Sequence, residues 1–385
     1  MKDVSYNTTR LATALFFAAP GIGYGLFTSR LPYLKLQVGA NESEVGIMLF
    51  ALGLAAALGL AVTPSIVKKI PIKVVLPIGL VTTCVALIAA SLSINVLMLT
   101  MSLATIGLAM GVLDVAMNMQ GVAIEVHYAK PTLGVLHASY SFGGVLGSVL
   151  GSVFAALGLS PLPNFLIPVV FLLIAGYFAT TRLIDRDPPK RKEKKKVRTF
   201  TLLLLCCGIF SLVGYVAEGI CGDWGSLFLA HERSAPESSA ALAYGVIAST
   251  CFLSRLVADR MRLAFGDFKY AFVSALIFTS GVALVIHSSS WLAALIGFAI
   301  GGIGLGPLVP ILFSFAGRLP GVDPNNAIAT VSFMGYVGLL AFPPVFGFIA
   351  HHYCYEGIFY AQFALALLCI LFTFLFKGEK KEGSS

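Results

Sequence analysis

Charged residues are scarce in this sequence of 385 residues. Asp, Glu, Lys and Arg together make up 11% of it, whereas hydrophobic residues make up 58%. Soluble domains carry about 25% charged residues. This scarcity of charge argues against a soluble globular protein and indicates a chain that is largely surrounded by lipid.

Organised cysteines and catalytic motifs are also lacking. The seven cysteines are scattered, and their odd number and their spacing predict neither a disulfide framework nor a metal site. No phosphate-binding loop, Walker motif, nucleophile elbow or metal-binding box occurs. We therefore expect neither an enzyme nor an ATP-driven pump, and no cofactor or metal.

Long apolar runs are what the sequence has in abundance. Runs of about 18 or more apolar residues predict membrane-spanning helices, and twelve can be drawn. They are Leu11–Leu31, Val45–Val67, Val74–Leu92, Met98–Gln120, Leu133–Leu157, Leu162–Leu183, Phe200–Leu229, Leu242–Val257, Tyr270–Ile286, Leu292–Phe315, Ala327–Ala350 and Ile358–Phe376. The first run is too long for a signal peptide and is expected to remain as a helix.

The formal net charge of +8 is distributed by side of the membrane. With the N-terminus inside, only Arg30, Lys35 and Arg233 of the 26 Lys and Arg residues fall on the outer side. This asymmetry follows the positive-inside rule and predicts that both termini are cytoplasmic. The basic run at 190–196 is interpreted as a topology anchor in contact with the lipid bilayer, and no nucleic-acid partner is expected.

A polar stretch divides the predicted helices six and six. We expect an N-terminal six-helix bundle at 1–183, a basic cytoplasmic linker at 184–199 and a C-terminal six-helix bundle with a short tail at 200–385. Weak internal symmetry supports two pseudo-symmetric bundles, since the fourth and tenth helices match when Gly111 is set on Gly306. The predicted fold class is an all-α integral membrane protein with twelve transmembrane helices.

The fourth predicted helix carries a polar stripe. At about 100° per residue, Gly107, Gly111, Asp114, Asn118 and Glu125 fall on one face. An aspartate near the centre of a membrane helix costs about 2.5–3.5 kcal/mol, so Asp114 is expected to face a polar interior. We interpret it as a proton-binding or substrate-binding carboxylate with Asn118 as its partner; a structural pair bonded to a neighbouring helix is the alternative.

Further candidates lie in the seventh helix and among the aromatic residues. Glu218 is a second cavity-facing candidate, and Asp223 and Trp224 are expected near the outer interface, with Trp224 as an anchor or a residue at the cavity mouth. Tyr24 and Tyr336 are candidates for stacking on a sugar or heterocycle, with helix packing as the alternative.

Two basic candidates complete the set. His137 is expected at a depth comparable to that of Asp114 and could relay protons with it, or it is an interface residue. Arg30 could bind an anionic substrate or close an outer gate against Glu218 or Asp223. The alternative for Arg30 is a side chain that snorkels to the interface.

The loop predicted after the eighth helix, Ser254–Arg260, resembles the cytoplasmic gating motif of the major facilitator superfamily. The resemblance implies a cytoplasmic gate formed by Asp259, Arg260, Arg255 and Lys68. The matching loop in the first half, Pro64–Lys69, has Val67 where the acidic residue of the motif would stand. Over nearly its whole length the chain resembles this superfamily, which implies transport by alternating access.

Three segments resemble the YbjJ-type bacterial inner-membrane members: Leu113–Glu125, Ala217–Trp224 and Gly335–Pro344. The fourth helix also resembles the fucose–proton symporters, whose pattern falls on Leu113, Asp114, Ala116 and Asn118. That resemblance implies sugar binding and proton coupling at the carboxylate. The second carboxylate of those symporters is absent from the first helix, and Leu103 stands near the position of the arginine that drug–proton antiporters carry.

Taken together, these features predict a secondary active transporter of the bacterial inner membrane. The expected cargo is a small polar organic molecule, the expected coupling ion is the proton, and the expected state is a monomer. A proton-driven exporter of amphipathic compounds is the first alternative. A receptor or scaffold that does not transport is the second.

Overall fold

A computed structural model of the chain describes residues 5–128, 132–184, 201–316, 319, 322 and 324–378. Within these ranges all regular structure is helical. The helices are α1 (Tyr6–Val38), α2 (Glu42–Ile66), α3 (Ile72–Ser91), α4 (Val96–Tyr128), α5 (Leu133–Ala156), α6 (Pro161–Thr180), α7 (Leu202–Glu232), α8 (Glu237–Ala240), α9 (Ala243–Phe265), α10 (Asp267–His287), α11 (Trp291–Ala316), α12 (Pro324–Ala341), α13 (Pro343–His352) and α14 (Tyr355–Thr373), followed by a short 3₁₀ helix (Phe374–Gly378).

Twelve segments of the described chain are long and apolar enough to cross a membrane. This confirms the predicted number of spans. The eighth span combines α8 with α9, and the eleventh combines α12 with α13. Most of the predicted linker, residues 185–199, lies outside the described residues.

The turn between α1 and α2 shows how local sequence sets the helix ends. Gly39 ends α1 in the left-handed conformation with φ 67°, which lets the chain reverse at once. Asn41 then caps α2, because its side chain accepts a hydrogen bond from the Glu44 backbone at 2.9 Å. The Glu44 carboxylate accepts one from the Asn41 backbone at 2.8 Å, which completes a capping box.

The eighth span is longer than predicted. We expected it to end at Val257 and the motif Ser254–Arg260 to form a loop, and this is wrong because α9 continues to Phe265. No glycine or proline interrupts the segment until Gly266, which adopts φ 80°. The motif therefore lies within the helix.

The eleventh span is broken, although the sequence predicted one helix over Ala327–Ala350. Pro343 and Pro344 have no backbone N–H, so the helical hydrogen-bond ladder cannot continue across them. The chain bends at Phe342, where α12 ends and α13 begins. The two parts then pack in different units of the molecule.

The chain forms two compact units. Unit 1 comprises the described residues of Met1–Glu193 together with Ala235–Gly245 and Pro343–His352. Within it, α1 packs on α5 and α2 packs on α4. The two later segments join this unit because α8 packs on α5 and α13 packs on α2.

Unit 2 comprises the described residues of Lys194–Ser234, Val246–Phe342 and Tyr353–Ser385. In this unit α10 packs on α11, α7 packs on α12, and α14 packs on both α7 and α10. Aromatic rings fill its interior. Phe228 lies 4.4 Å from Phe359 between ring centroids, and Phe210 stacks on Phe372 at 5.4 Å.

Among the helix pairs that meet through glycines, one pair in unit 1 matches one pair in unit 2. A Cβ atom on any of these glycines would collide with the backbone of the facing helix, so only glycine permits the approach. The contacts join Gly107 of α4 to Leu52 of α2, Gly111 to Ala56, Gly302 of α11 to Ile247, and Gly306 to Cys251 of α9. Adding the same constant to the residue numbers of the α2–α4 contacts gives the residue numbers of the α9–α11 contacts.

Candidate functional site

The Asp114–Asn118 pair lies in α4, as predicted from the stripe. The Asn118 side-chain amide donates to the backbone carbonyl of Asp114 at 2.8 Å and to its carboxylate at 3.3 Å. Both residues are half-buried. Asp114 lies about 27 Å along α4 from Val96 at 1.5 Å per residue. The amide therefore holds the carboxylate in one orientation deep within the span.

The rest of the stripe serves packing. Gly107 and Gly111 contact α2, as described above. The Glu125 carboxylate accepts a hydrogen bond of 2.7 Å from the backbone of Thr132 and so ties the end of α4 to the start of α5. Only Asp114 and Asn118 therefore remain from the stripe as candidates for binding.

His137 lies near Asp114 in unit 1. It lies about 28 Å from the Ala156 end of α5 at 1.5 Å per residue. Its ring is exposed, meets Phe17 edge-on at 5.3 Å and interacts electrostatically with Asp114. The histidine and the carboxylate are thus placed to influence each other's charge.

Glu218 and Arg255 form an ion pair in unit 2, with Arg255 Nη2 3.4 Å from Glu218 Oε2. Arg255, which the resemblance assigned to a cytoplasmic gate, lies about 18 Å along α9 from Ala243. Glu218 lies about 21 Å from the Glu232 end of α7. The pair is therefore deep within the span.

A proline in α11 leaves a backbone carbonyl available to Arg255. Pro310 has no N–H, so the carbonyl of Gly306, four residues earlier, lacks its helical donor. Arg255 Nε donates to this carbonyl at 3.0 Å. The guanidinium is thereby oriented between α11 and α7.

Two tyrosines of unit 2 lie close together, one of them near Glu218 in sequence. The rings of Tyr215 and Tyr336 are 5.8 Å apart, and the Tyr336 side chain is 39% exposed. Tyr215 precedes Glu218 by three residues and so shares its face of α7. Tyr336 therefore lies beside a tyrosine that shares the face of Glu218, whereas Tyr24 belongs to unit 1.

Arg30 is fully buried, so the snorkelling alternative is wrong. Its Nη1 lies 3.3 Å from Glu237 Oε1, and its Nη2 donates to the backbone carbonyl of Leu159. The guanidinium also lies 5.2 Å above the Tyr33 ring. Arg30 thus contacts the α8 segment, but through Glu237 rather than through the acids that we expected.

The same segment makes further contacts in unit 1. The Ser148 hydroxyl donates to the carbonyl of Ala241 at 2.6 Å and accepts from the backbone of Gly245 at 3.1 Å. The Tyr24 ring meets the Tyr244 ring edge-on at 5.0 Å. We call the contacts of residues 235–245 and 343–352 with α1, α2 and α5 the outer seam, since the topology predicts that they lie on the outer side.

The second part of the outer seam joins α13 to α2. Gly46 and Gly347 bring the two helices into backbone contact. Glu42 pairs with Lys35 at 2.7 Å and lies 3.4 Å from the ring nitrogen of His351. Neither Glu237 nor His351 was a candidate from the sequence, because only the tertiary contacts show their partners.

The prediction that Trp224 is an interface anchor is wrong. Its side chain is only 1% exposed, and its ring lies 6.4 Å from that of Tyr355. Asp223 is also buried, at 8% exposure. The reason is that α7 continues for eight residues beyond Trp224. Both residues belong to the interior of unit 2.

The remaining gate candidates are Lys68, Asp259 and Arg260. Lys68 and Arg260 are exposed, and the side chain of Asp259 lies outside the described residues. Instead, Arg262 binds Asp267 through two contacts, of 2.8 and 3.1 Å, and donates to Ser314 at 2.8 Å. This bridge joins α9, α10 and α11. Asp267, the acidic residue at the start of α10, was the sequence feature that could have predicted this bridge.

Among the described residues, no group of three or more His, Cys, Asp or Glu could hold a metal ion. The charged side chains inside the spans are instead arranged in pairs with hydrogen-bonding neighbours. Such groups can bind a polar solute or exchange a proton.

Comparisons with known proteins give the family of the chain. The sequence model of the Major Facilitator Superfamily matches residues 11–218 and 224–385. An uncharacterized MFS-type transporter of Yersinia pestis is 30% identical over 343 residues, covering 89% of this chain and 88% of that protein. Membrane protein MosC of Rhizobium meliloti is 25% identical over 354 residues, covering 89% and 84%.

Solved structures show the same fold. The nucleoside transporter NupG has a TM-score of 0.75 at 13% identity, covering 97% of this chain and 99% of that one. The D-xylose–proton symporter has a TM-score of 0.76 at 13% identity, covering 99% and 100%. At such low identity the likeness concerns the fold alone.

Proposed function

The chain belongs to the major facilitator superfamily, and we propose that it moves a small polar organic solute across the bacterial inner membrane in exchange for, or together with, protons. The protein is a secondary transporter and an integral membrane protein. The solute class, the coupling ion and the particular membrane are the proposed parts. We also propose cytoplasmic termini, because Lys and Arg follow the positive-inside rule, and a monomer as the functional state.

The Asp114–Asn118 pair carries this proposal. Asp114 is the proposed proton site. A carboxylate inside a span costs free energy, and such residues typically bind a polar solute or a proton. Asn118 orients it through the bonds of 2.8 and 3.3 Å. The resemblance of this stretch to the fucose–proton symporters supports a polar cargo. His137 is the proposed neighbour that modulates the carboxylate.

The outer seam supports transport by alternating access. Segments from the second half of the sequence close on α1, α2 and α5 through Glu237, Ser148 and Tyr244. We propose that the seam opens when two six-helix bundles, 1–183 and 200–385, rock about a central site.

The test begins with a search for the cargo. Purified full-length protein is screened by thermal shift against a metabolite library, since a bound ligand stabilises the folded state. A compound that raises Tm is then followed into liposomes containing the protein, with and without a pH gradient. We expect the gradient to drive accumulation of the compound.

Variants test the residue assignment. Asp114→Asn should abolish accumulation driven by the gradient, because the amide cannot exchange a proton at this site. Thr105→Val is the matched control, since Thr105 is an exposed residue of the same helix whose hydroxyl binds only within that helix in the described contacts. Uptake that is equal with and without the gradient would exclude proton coupling. Full coupled uptake by Asp114→Asn would exclude Asp114.

A further inference from the structure

Glu218 and Arg255 meet at a common depth in unit 2. Measured along their helices from the ends predicted to face outward, Glu218, Arg255 and Gly306 lie at about 21, 18 and 22 Å. The hydrocarbon core is about 30 Å thick, so all three are expected to lie within it. The two side chains are 45% and 35% exposed. Charged groups at this depth do not face lipid, and the exposed surface therefore belongs to a polar cavity.

A second ion pair made by α9 provides an internal comparison. Arg262 donates two hydrogen bonds to the Asp267 carboxylate, of 2.8 and 3.1 Å. The two side chains are only 16% and 12% exposed. This geometry is the strong, two-pronged form that stabilises structure. Arg255 instead reaches Glu218 through one contact of 3.4 Å, beyond the 2.7–2.9 Å of a strong charged hydrogen bond. The deeper pair is the weaker and the more accessible.

The guanidinium of Arg255 has a second contact that does not depend on Glu218. Its Nε is held at 3.0 Å by the Gly306 carbonyl, which Pro310 leaves without a helical donor. A planar guanidinium that is oriented in this way presents a fork suited to a carboxylate. Glu218 therefore occupies a position that another carboxylate could take.

We propose that Arg255 recognises an anionic group of the cargo and that Glu218 is its exchangeable counter-ion. The transported solute is accordingly an organic anion with a carboxylate, which displaces Glu218 from the guanidinium. This inference rests on the proposed transport function and specifies its substrate class. Asp114 in unit 1 keeps its separate role as the proton site.

Matched carboxylates and neutral compounds test the proposal. Thermal unfolding of the purified full-length protein is measured with lactate and lactamide, succinate and succinamide, and gluconate and glucose, at equal ionic strength. At least one carboxylate should raise Tm by about 2 °C while its neutral counterpart does not. Arg255→Gln should lose this shift. Glu218→Gln should lower the half-maximal concentration about tenfold, because the competing carboxylate is gone.

Arg262→Gln is the matched control on the same helix. It should lower the starting Tm by removing the bridge to Asp267, yet keep the carboxylate-dependent shift. If Arg255→Gln does not fold, Arg255→Lys replaces it, and the half-maximal concentration should rise about tenfold because the fork is lost. The proposal is overturned if no carboxylate-specific shift occurs in the wild type or in Glu218→Gln, or if the shift survives in Arg255→Gln.

The two proposals fail in different ways. Proton-coupled uptake of a neutral compound that requires Asp114 but is unchanged in Arg255→Gln would retain the proposed function and overturn the anion site. Carboxylate binding that requires Arg255, without any flux into liposomes, would support the anion site and overturn the transport assignment made here for Asp114.

Discussion

The α2–α4 pair of unit 1 and the α9–α11 pair of unit 2 are built alike but carry different chemistry. In both, two glycines one turn apart bring a helix into contact with the backbone of its neighbour. When the pairs are matched on these glycines, Asp114 corresponds to Val309, and Arg255 corresponds to Leu60. At each of these two matched positions only one of the helix pairs has a charged residue, and the two charges are opposite in sign and lie on different members of the pair.

This difference indicates that packing and charge are under separate constraints. The glycine contacts recur because backbone approach leaves no room for a side chain. The charged positions do not recur, since each needs its own hydrogen-bonding surroundings: Asn118 beside Asp114, and Glu218 with the Gly306 carbonyl beside Arg255. A transporter needs the scaffold twice but each kind of polar group only where it binds.

The largest expected effect tests whether the two helix pairs are equally close. Gly107→Leu and Gly302→Leu should both prevent recovery of monodisperse protein, because the new side chain would overlap backbone carbonyls that cannot move aside. Size-exclusion chromatography checks this result. Gly301→Ala is the control beside Gly302, since the nearest atom would be 3.8 Å away, and it should fold normally. Normal folding of either leucine variant would show that the contact is looser than described.

The next effect tests whether the α9–α11 pair can accommodate an acidic residue as the α2–α4 pair does. Val309→Asp places an acid at the position in α11 that corresponds to Asp114. It should destabilise the protein by about 2.5–3.5 kcal/mol, the cost of an aspartate near a helix centre without a prepared site. Thermal unfolding measures the change. A Val309→Asp protein as stable as the wild type would mean that α11 offers the acid an equivalent site.

A smaller effect concerns the proline that distinguishes α11 from α4. Pro310→Ala restores an N–H that can bind the Gly306 carbonyl within the helix. We expect about 1 kcal/mol of added stability, since the helical bond is regained while Arg255 loses an acceptor. Tm measures the gain, and carboxylate affinity should fall. Pro307→Ala is the control, because the N–H that it restores would bind a carbonyl other than that of Gly306. Unchanged affinity in Pro310→Ala would argue against orientation of Arg255 by Gly306.

The smallest effect concerns Asn118. Asn118→Ala removes the donor that binds Asp114 and should cost about 1 kcal/mol, a typical value for one hydrogen bond. Uptake should slow without being abolished, since Asp114 itself remains. Unfolding and liposome uptake check the two effects, with Thr105→Val again as the control. Loss of uptake as complete as in Asp114→Asn would give Asn118 a direct role instead of a positioning one.

Helix number could be predicted from the sequence, but two boundaries could not. Apolar runs of sufficient length must cross the membrane as helices, because lipid satisfies no backbone group. The end of α9 was missed because Arg255, Asp259 and Arg260 look like a loop by charge alone. The break before α13 was missed because Pro343 and Pro344 lie inside an otherwise apolar run.

The candidate site was predicted in part. Asp114 and Asn118 lie one turn apart on the same helix, so their contact follows from helical geometry. Arg255 with Glu218, and Arg30 with Glu237, join residues that are far apart in the sequence. Single-chain patterns do not show such partners.

The sequence by itself determined a twelve-span transporter and the Asp114–Asn118 pair, because hydrophobicity and helical periodicity act over short distances along the chain. Only the tertiary structure decided which charges neutralise one another. Arg30, for which a snorkelling side chain was the alternative, is a buried partner of Glu237, and Arg255, which was assigned to the gate, pairs with Glu218. The physical reason is that a charge inside a membrane is tolerated through neighbours that folding supplies, and these come from other helices.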